Sequence, residues 1–184
     1  MIRRLIDYIA FRTTKRYNVI KVRSLEPNYW DKDTLLLHGV MQLVVDFVEV
    51  ECAFMEHDKP FTLKQKIMLK MPWFFRCDEV FRSREDGLKH LDMLESFYED
   101  KLKEPSDAPK ILKEVYVWWK DIRPTRRDPG DESGFNQYME QNTKKSDAKI
   151  KQLLKKADKL EKNHFDEDTK MLKKIIDIRG FLWT

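Results

Sequence analysis

Apolar positions along most of this chain recur every three or four residues, the spacing that places them on one face of an α-helix. The longest such pattern extends from Thr34 to about Glu56, and its apolar positions span roughly 200° of a helical wheel. So wide an apolar face predicts a helix that other helices surround at the centre of the fold. The same spacing predicts shorter helices over residues 2–12, 62–71, 85–102 and 109–122.

The C-terminal part of the chain predicts a helical hairpin. Apolar residues repeat there at intervals of three, four and three, as in a coiled-coil seam, in the order Ile150, Leu153, Ala157 and Leu160. The segment NHFDEDT, residues 163–169, predicts a turn in which Asp166 caps a last helix. Two heptads are too short to be stable alone, so the hairpin must pack on the body or on a second subunit. We therefore expect a homo-oligomer, most simply a dimer.

One segment near the N-terminus departs from the helical spacing. YNVIKVRSL, residues 17–25, alternates and is rich in β-branched residues, which predicts a single strand or an extended arm over residues 17–24. The predicted fold class is therefore mainly α: a compact multi-helix domain with at most this short β-segment and a C-terminal helical hairpin. We divide it into a helical core, residues 1–140, and the hairpin, residues 141–184.

The composition supports long, solvent-exposed helices, because 37% of the 184 residues are charged and only 5 are glycine. The net charge of +4 is unevenly distributed, since residues 1–25 carry seven Lys/Arg and one Asp, and residues 141–184 carry twelve Lys/Arg and seven Asp/Glu. Basic ends around an acidic centre favour self-association or protein docking over a continuous nucleic-acid track. The tail lysines lack interleaved aromatic residues and predict the solvated face of an oligomerising helix rather than a specific nucleic-acid site: Lys144, Lys145, Lys149, Lys151, Lys155 and Lys156.

These residues give no reason to assign the chain to several classes of protein. The two cysteines, Cys52 and Cys77, form neither a disulfide framework nor a zinc pattern, and we expect reduced thiols. No stretch approaches the ~18 apolar residues of a membrane span. We expect the basic amphipathic helix over residues 2–12 to dock on the core rather than to lie on a membrane. Phosphate-binding glycine loops and a nucleophile elbow are absent, so nothing positive indicates an enzyme or a cofactor.

Four blocks, in order along the chain, carry a resemblance to a known family. They are LEPNYWDKDTLLLHGVMQLVVDFVEVE, GLKHLDMLESF, VYVWWKDIRPTRRDP and the C-terminal DEDTKMLKKIIDIRGFLWT, within a region from about residue 20 to the C-terminus. Together they resemble a family of small proteins of tailed bacteriophages that are usually recorded without a function. The resemblance implies a phage gene product in the host bacterial cytoplasm. It implies no reaction, no ligand and no functional residues.

A polar arc on the long helix is the first candidate for chemistry. At spacings of four, four and three residues it holds His38, Gln42, Asp46 and Glu49. A histidine and two carboxylates on one face are a possible divalent-metal site, which a second helix could complete with His90, Asp92 and Glu95. The paired acidic motifs of all-helical nucleotide pyrophosphatases are not present in clean form, however. We therefore expect a solvated stripe or a buried polar network that meets the basic N-terminal segment, without a metal.

The segment VYVWWKDIRPTRRDPGDESG, residues 115–134, is the second candidate. The helix over 109–122 predicts an apolar stripe of Ile111, Val115, Trp118 and Ile122. Trp119 is rotated by about 100° from Trp118 and is expected to cover a neighbour or a ligand. Cations at a helix C-terminus have an ordinary structural role. Guanidinium groups beside an indole can also hold a phosphate and stack on a base, which makes the candidate ligand-binding residues Trp119, Arg123, Arg126 and Arg127.

Three functions remain open at this stage. The first is a non-catalytic phage accessory protein that binds a small anionic, nucleotide-type ligand or a host protein, for example as an inhibitor of host defence. The second is a structural or assembly component of the virion. The third is a metal-dependent all-α nucleotide hydrolase that uses His38, Asp46 and Glu49. The absence of catalytic motifs favours the first.

Overall fold

The computed structural model describes residues 20, 22–26, 28–56, 60–71, 78–101, 107–141 and 146–182. Its regular elements within these ranges are all helical, which confirms the mainly α fold class. None of the helices in these ranges is both long enough and apolar enough to cross a membrane. The predicted helix over residues 2–12, Cys77, Lys144 and Lys145 lie outside the described residues.

The chain divides into two compact units between Tyr116 and Val117, whereas the sequence placed the division at residue 140. The first unit begins with α1 (Lys32–Asp46), which continues through a π-helical turn (Phe47–Cys52) into α2 (Ala53–Met55). It then contains α3 (Leu63–Lys70), a 3-10 turn (Asp78–Phe81) and α4 (Arg84–Lys101). The division falls inside the next helix, α5 (Ala108–Val117).

α4 packs closely on the π-helical turn that follows α1. A Cβ atom on Gly87 would lie 2.1 Å from the carbonyl oxygen of Val48, so a residue without a side chain is required at this crossing. The amide of Ser83, just before α4, donates to the carbonyl of Glu49 over 2.8 Å. The π-helical turn thus fixes where α4 begins and how near it approaches.

The segment that predicted a strand is not one in its described part. Arg23 and Ser24 lie in a turn, and polar groups of α1 bond to them. The amide of Arg23 donates to Gln42 Oε1 over 3.0 Å, which gives this backbone group a partner without a neighbouring strand. A side chain of α1 therefore satisfies a backbone group that a neighbouring strand would otherwise have to satisfy. The sequence predicts no second strand that could do so.

The second unit contains the π-helical turn Trp118–Ile122, a 3-10 turn (Arg123–Thr125), α6 (Pro129–Ser133), α7 (Phe135–Gln141), α8 (Asp147–Asp177) and a last 3-10 turn (Arg179–Leu182). Asp128 caps α6 by accepting hydrogen bonds from the amides of Gly130 and Asp131. Gly134 ends α6 with φ = 80°, in the left-handed region that glycine adopts readily. Both α6 and α7 pack against α8.

The predicted C-terminal hairpin is wrong, because α8 is one uninterrupted helix of 31 residues. The segment 163–169, which predicted its turn, contains no glycine or proline to interrupt the backbone hydrogen bonds. Its polar residues can lie on the exposed face of a helix. Asp166, the predicted cap, lies on that exposed surface within the helix.

The predicted stripe along residues 109–122 is correct at Val115 and Trp118 but wrong at Ile122, whose side chain is exposed. The cause is the π-helical turn, in which the amide of Arg123 bonds to the carbonyl of Trp118 five residues earlier. The extra residue per turn rotates the following positions away from the face that an α-helix would bury.

Candidate functional site

The polar arc of α1 forms a buried network in the first unit. His38, Gln42 and Glu49 are buried, and Asp46 is half-buried. Ser24 Oγ lies 2.8 Å from His38 Nδ1, and Gln42 Nε2 donates to Asp46 Oδ1 over 3.0 Å. Of the two arrangements that the sequence leaves open for these four residues, the structure has the buried network.

Arg82 is the cation at the centre of this network. Its Nη1 donates to Glu49 Oε2 and its Nη2 to Asp46 Oδ1, both over 2.5 Å. Burial lowers the pKa of Arg82, but its hydrogen bonds to Asp46 and Glu49 outweigh that effect and raise the pKa above its usual value. Tyr116 donates its hydroxyl to Glu49 Oε1 over 2.8 Å. The side chain of Glu49, with 8% exposure, is thus stabilised as a carboxylate by two donors.

The arrangement does not resemble a metal centre. No group of three or more His, Cys, Asp or Glu side chains suited to a metal ion occurs among the residues that the structure describes. Two of the three residues that were to complete the site have other neighbours: His90 lies 3.4 Å from Glu56, and Lys113 pairs with Asp92. The carboxylates of the arc face arginines rather than one another, so they are arranged for ion pairing.

The Trp/Arg cluster, which we define as Trp118, Trp119, Arg123 and Arg126, lies in the second unit. The guanidinium of Arg123 stacks 4.7 Å from the ring centroid of Trp119, and that of Arg126 stacks 5.2 Å from Trp118. The two rings lie beside each other with centroids 6.1 Å apart. The structure therefore brings together three of the four ligand-binding residues that the sequence predicts.

Two carboxylates of α8 already occupy the donors of this cluster. Arg126 forms a fork, with Nη1 2.6 Å from Asp168 Oδ1 and Nη2 2.6 Å from Glu167 Oε2. Arg123 Nη2 donates to Asp168 Oδ2 over 3.2 Å, and the indole of Trp118 donates to Glu167 Oε1 over 2.8 Å. Glu167 and Asp168 occupy the positions that the oxygens of a phosphate would need.

Of the two alternatives for Trp119, contact with a neighbour or with a ligand, the structure has the first, because its side chain is buried with 7% exposure. The guanidinium of Arg123 covers the ring of Trp119. Arg127 is the exception in this segment, since its side chain is exposed and has no ion pair within the described part of the chain. Of the four predicted residues, Arg127 alone keeps the exposure that a ligand contact needs.

A further surface, which the sequence did not single out, lies on α3. Gln65 is buried and donates its Nε2 to the carbonyl of Val80 over 3.2 Å, so this face holds α3 to the unit. Leu63 and Ile67, on the opposite side, and Met71 just after the helix are exposed, with 75% exposure for Leu63. Their spacing of four residues was the available signal, but periodicity alone does not tell an inward from an outward face.

The exposed side of α3 is also basic and adjoins an aromatic group. Lys64, Lys66 and Lys70 are all exposed around the apolar residues. Phe81 contacts Phe61, just before α3, with centroids 5.9 Å apart, and contacts Phe54 of α2 with centroids 5.2 Å apart. Phe54 and its neighbour Met55 are themselves exposed. We call Phe54, Met55, Leu63, Ile67 and Met71 the α2–α3 patch.

Comparison with known proteins adds no further constraint on these sites. No protein-family model, no curated protein and no solved structure matches this chain.

Proposed function

We propose that this chain is a non-catalytic binding protein that docks on an acidic protein surface through the α2–α3 patch. The observation that carries the proposal is the orientation of α3, whose inward face holds the buried Gln65 and whose outward face exposes Leu63 and Ile67. Large exposed apolar side chains grouped on one surface are typical of interaction sites. Three methionine and leucine side chains in the patch can adapt to the shape of a partner.

Charge decides the kind of partner. Lysines flank the apolar residues of α3 on both sides, whereas the described sequence of the helix has no acidic residue. A partner with apolar anchors surrounded by carboxylates would match this surface and would be attracted to it over several ångströms. The four blocks that resemble a tailed-phage family suggest where such a partner is found: in the cytoplasm of the infected bacterium.

Site-specific photo-crosslinking tests this proposal. A benzophenone amino acid at Ile67 should give a crosslinked product in the bacterial host, and the same probe at the comparably exposed Met93 of α4 should not. The purified partner should then bind Leu63→Glu at least about tenfold more weakly than the wild-type chain, because an apolar anchor is lost and a like charge is introduced. Equal crosslinking at Ile67 and Met93 would exclude the patch as the docking site. Binding to anionic lipid vesicles that depends on Leu63, without a protein crosslink, would replace the protein partner with a membrane surface.

A small anionic ligand is the second candidate, and one observation favours it. Arg126 has a buried Nε for which the described residues supply no hydrogen-bond acceptor. An incoming phosphate would have to displace Glu167 and Asp168, so the wild-type chain should bind nucleotides weakly. The double change Glu167→Gln with Asp168→Asn removes both competing charges and should strengthen binding at least about tenfold. Calorimetry with mono-, di- and cyclic nucleotides measures this effect. If neither chain binds below about 100 μM, which is ~5.5 kcal/mol of binding free energy, the small-ligand function is excluded.

The location of the chain distinguishes a structural role in the virion from both of these binding functions. An accessory protein of the infected cell is absent from purified particles, and a structural component is present in stoichiometric amounts. Mass spectrometry of purified virions makes the distinction without any assumption about the binding site. Finding the chain in the particle would overturn the accessory role while leaving the α2–α3 patch as an assembly contact.

A further inference from the structure

An apolar stripe runs along the exposed side of α8, away from the face that the sequence predicted as the seam. The predicted seam residues Ile150, Leu153, Ala157 and Leu160 are half-buried, on the same side as the buried Met171 and Ile175. The exposed stripe consists of Leu154, Phe165 and Ile176, which we call the α8 stripe. Phe165 is the most exposed of them, with 62% exposure.

The spacing of the α8 stripe is symmetric about Phe165. Leu154 lies eleven residues before Phe165, and Ile176 lies eleven residues after it. Eleven residues make about three turns of an α-helix, so all three side chains project in nearly the same direction. The stripe is about 33 Å long at 1.5 Å per residue.

We propose that the partner of this stripe is a second copy of the chain, with the two α8 helices antiparallel and crossing at Phe165. A twofold axis there places Phe165 against its own counterpart and Leu154 against the partner's Ile176. A twofold interface uses the same surface on both subunits, and it therefore needs a surface that is complementary to itself. A stripe with equal spacing on both sides of one aromatic residue meets that requirement.

The charges beside the stripe support the antiparallel arrangement. On one flank, Lys162 lies level with the partner's Asp166, and the twofold axis repeats this opposite-charge pair. Asp158 and Glu161 lie within the stripe, within about 40° of the direction of Phe165, which limits the strength of the interface. Reversible dimerisation with a dissociation constant on the order of 10 μM is the expectation for so short a contact.

Sedimentation of the full chain between about 1 and 200 μM tests the dimer, because this range brackets the expected constant. Phe165→Glu should weaken dimerisation at least about thirtyfold, since it removes the central aromatic anchor and places two like charges together. Gln152→Glu introduces the same charge at an exposed position elsewhere on α8 and should leave the dimer intact. Circular dichroism checks that both variants remain helical.

Cysteine crosslinking in a Cys77→Ser background tests the direction of the helices. Phe165→Cys should form a disulfide-linked dimer, and a mixture of Leu154→Cys and Ile176→Cys chains should crosslink only to each other. Self-crosslinking of Leu154→Cys would indicate parallel helices and overturn the arrangement. A chain that stays monomeric at 200 μM, or a dimer that Phe165→Glu leaves unchanged, would overturn the interface. Phe165-dependent sedimentation with anionic vesicles by a monomeric chain would assign the stripe to a lipid surface instead.

Discussion

Replacement of Gly87 by alanine tests whether the contact between α4 and the π-helical turn determines the stability of the first unit. A Cβ atom there would lie 2.1 Å from the carbonyl oxygen of Val48, 2.9 Å from its carbonyl carbon and 3.2 Å from its Cγ1. The two nearest atoms belong to the backbone of a buried helical turn, so they cannot rotate away. α4 must move outward, and the packing around it must change.

The expected effect is a difference between two opposing terms. Overpacking a closely packed interior costs about 1–3 kcal/mol, and a clash with backbone falls at the upper end of that range. Alanine in place of glycine within a helix contributes about 1 kcal/mol in the other direction. We therefore expect Gly87→Ala to lower the free energy of unfolding by about 2 kcal/mol, which corresponds to a decrease in Tm of roughly 4–8 °C for a chain of this size.

Gly39 supplies the matched control, because it is also a buried helical glycine but has nothing within 4 Å of its would-be Cβ. Gly39→Ala keeps only the helix-propensity term and should raise the free energy of unfolding by about 0.5–1 kcal/mol. Urea denaturation followed by circular dichroism compares the two variants with the wild-type chain. If both changes stabilise the protein equally, α4 does not pack against Val48 at this distance and the reasoning about the π-helical turn fails.

The remaining predictions concern the ion network, the buried thiol and the continuity of α8. Arg82→Met leaves the buried glutamate of the network without its cation and should destabilise the chain by about 3 kcal/mol in urea denaturation. The control Arg127→Met should change the free energy of unfolding by less than about 0.5 kcal/mol. Equal effects of the two changes would show that the network is not buried. Burial and, secondarily, the neighbouring Glu51 carboxylate raise the pKa of Cys52 to about 12. In a Cys77→Ser background, Cys52 should therefore resist alkylation by iodoacetamide at pH 8.5 until urea is added. The folded chain also holds the thiol proton more tightly than the unfolded chain does. The contribution of this thiol to the free energy of unfolding should therefore be complete below about pH 9 and be lost toward pH 12. His164→Pro should cost about 3 kcal/mol and reduce the helical signal if residues 147–177 form one helix, but little if a turn interrupts them there.

Prediction from the sequence succeeded where one short window contains all the interactions concerned. The helical segments follow from the three-to-four spacing of apolar residues, and α3 (Leu63–Lys70) lies within the predicted range 62–71. The buried character of α1 also follows from its wide apolar arc. Each of these features depends on residues within about one or two turns of each other, so the local sequence is sufficient.

Prediction from the sequence failed where one local pattern is compatible with two structures. Residues 163–169 are compatible with a turn or with the exposed side of a helix, and α8 adopts the second. The wheel placed Ile122 in line with Trp118 by assuming an α-helix throughout, but the hydrogen bond from Arg123 to Trp118 spans five residues and changes the phase. An insertion of this kind leaves no periodic signature in the sequence.

The sequence by itself determined that this chain is helical, which residues are candidates for its interior, and which residue types are available for chemistry. Only the tertiary structure decided which charged side chains form ion pairs within the chain. Arg82 finds Asp46 and Glu49 from 36 and 33 residues away, and Arg126 finds Glu167 and Asp168 from 41 and 42 residues away. It also decided that Leu63 and Ile67 of α3 face outward. Pairings over such separations depend on how helices pack, and packing is a property of the whole chain rather than of any segment.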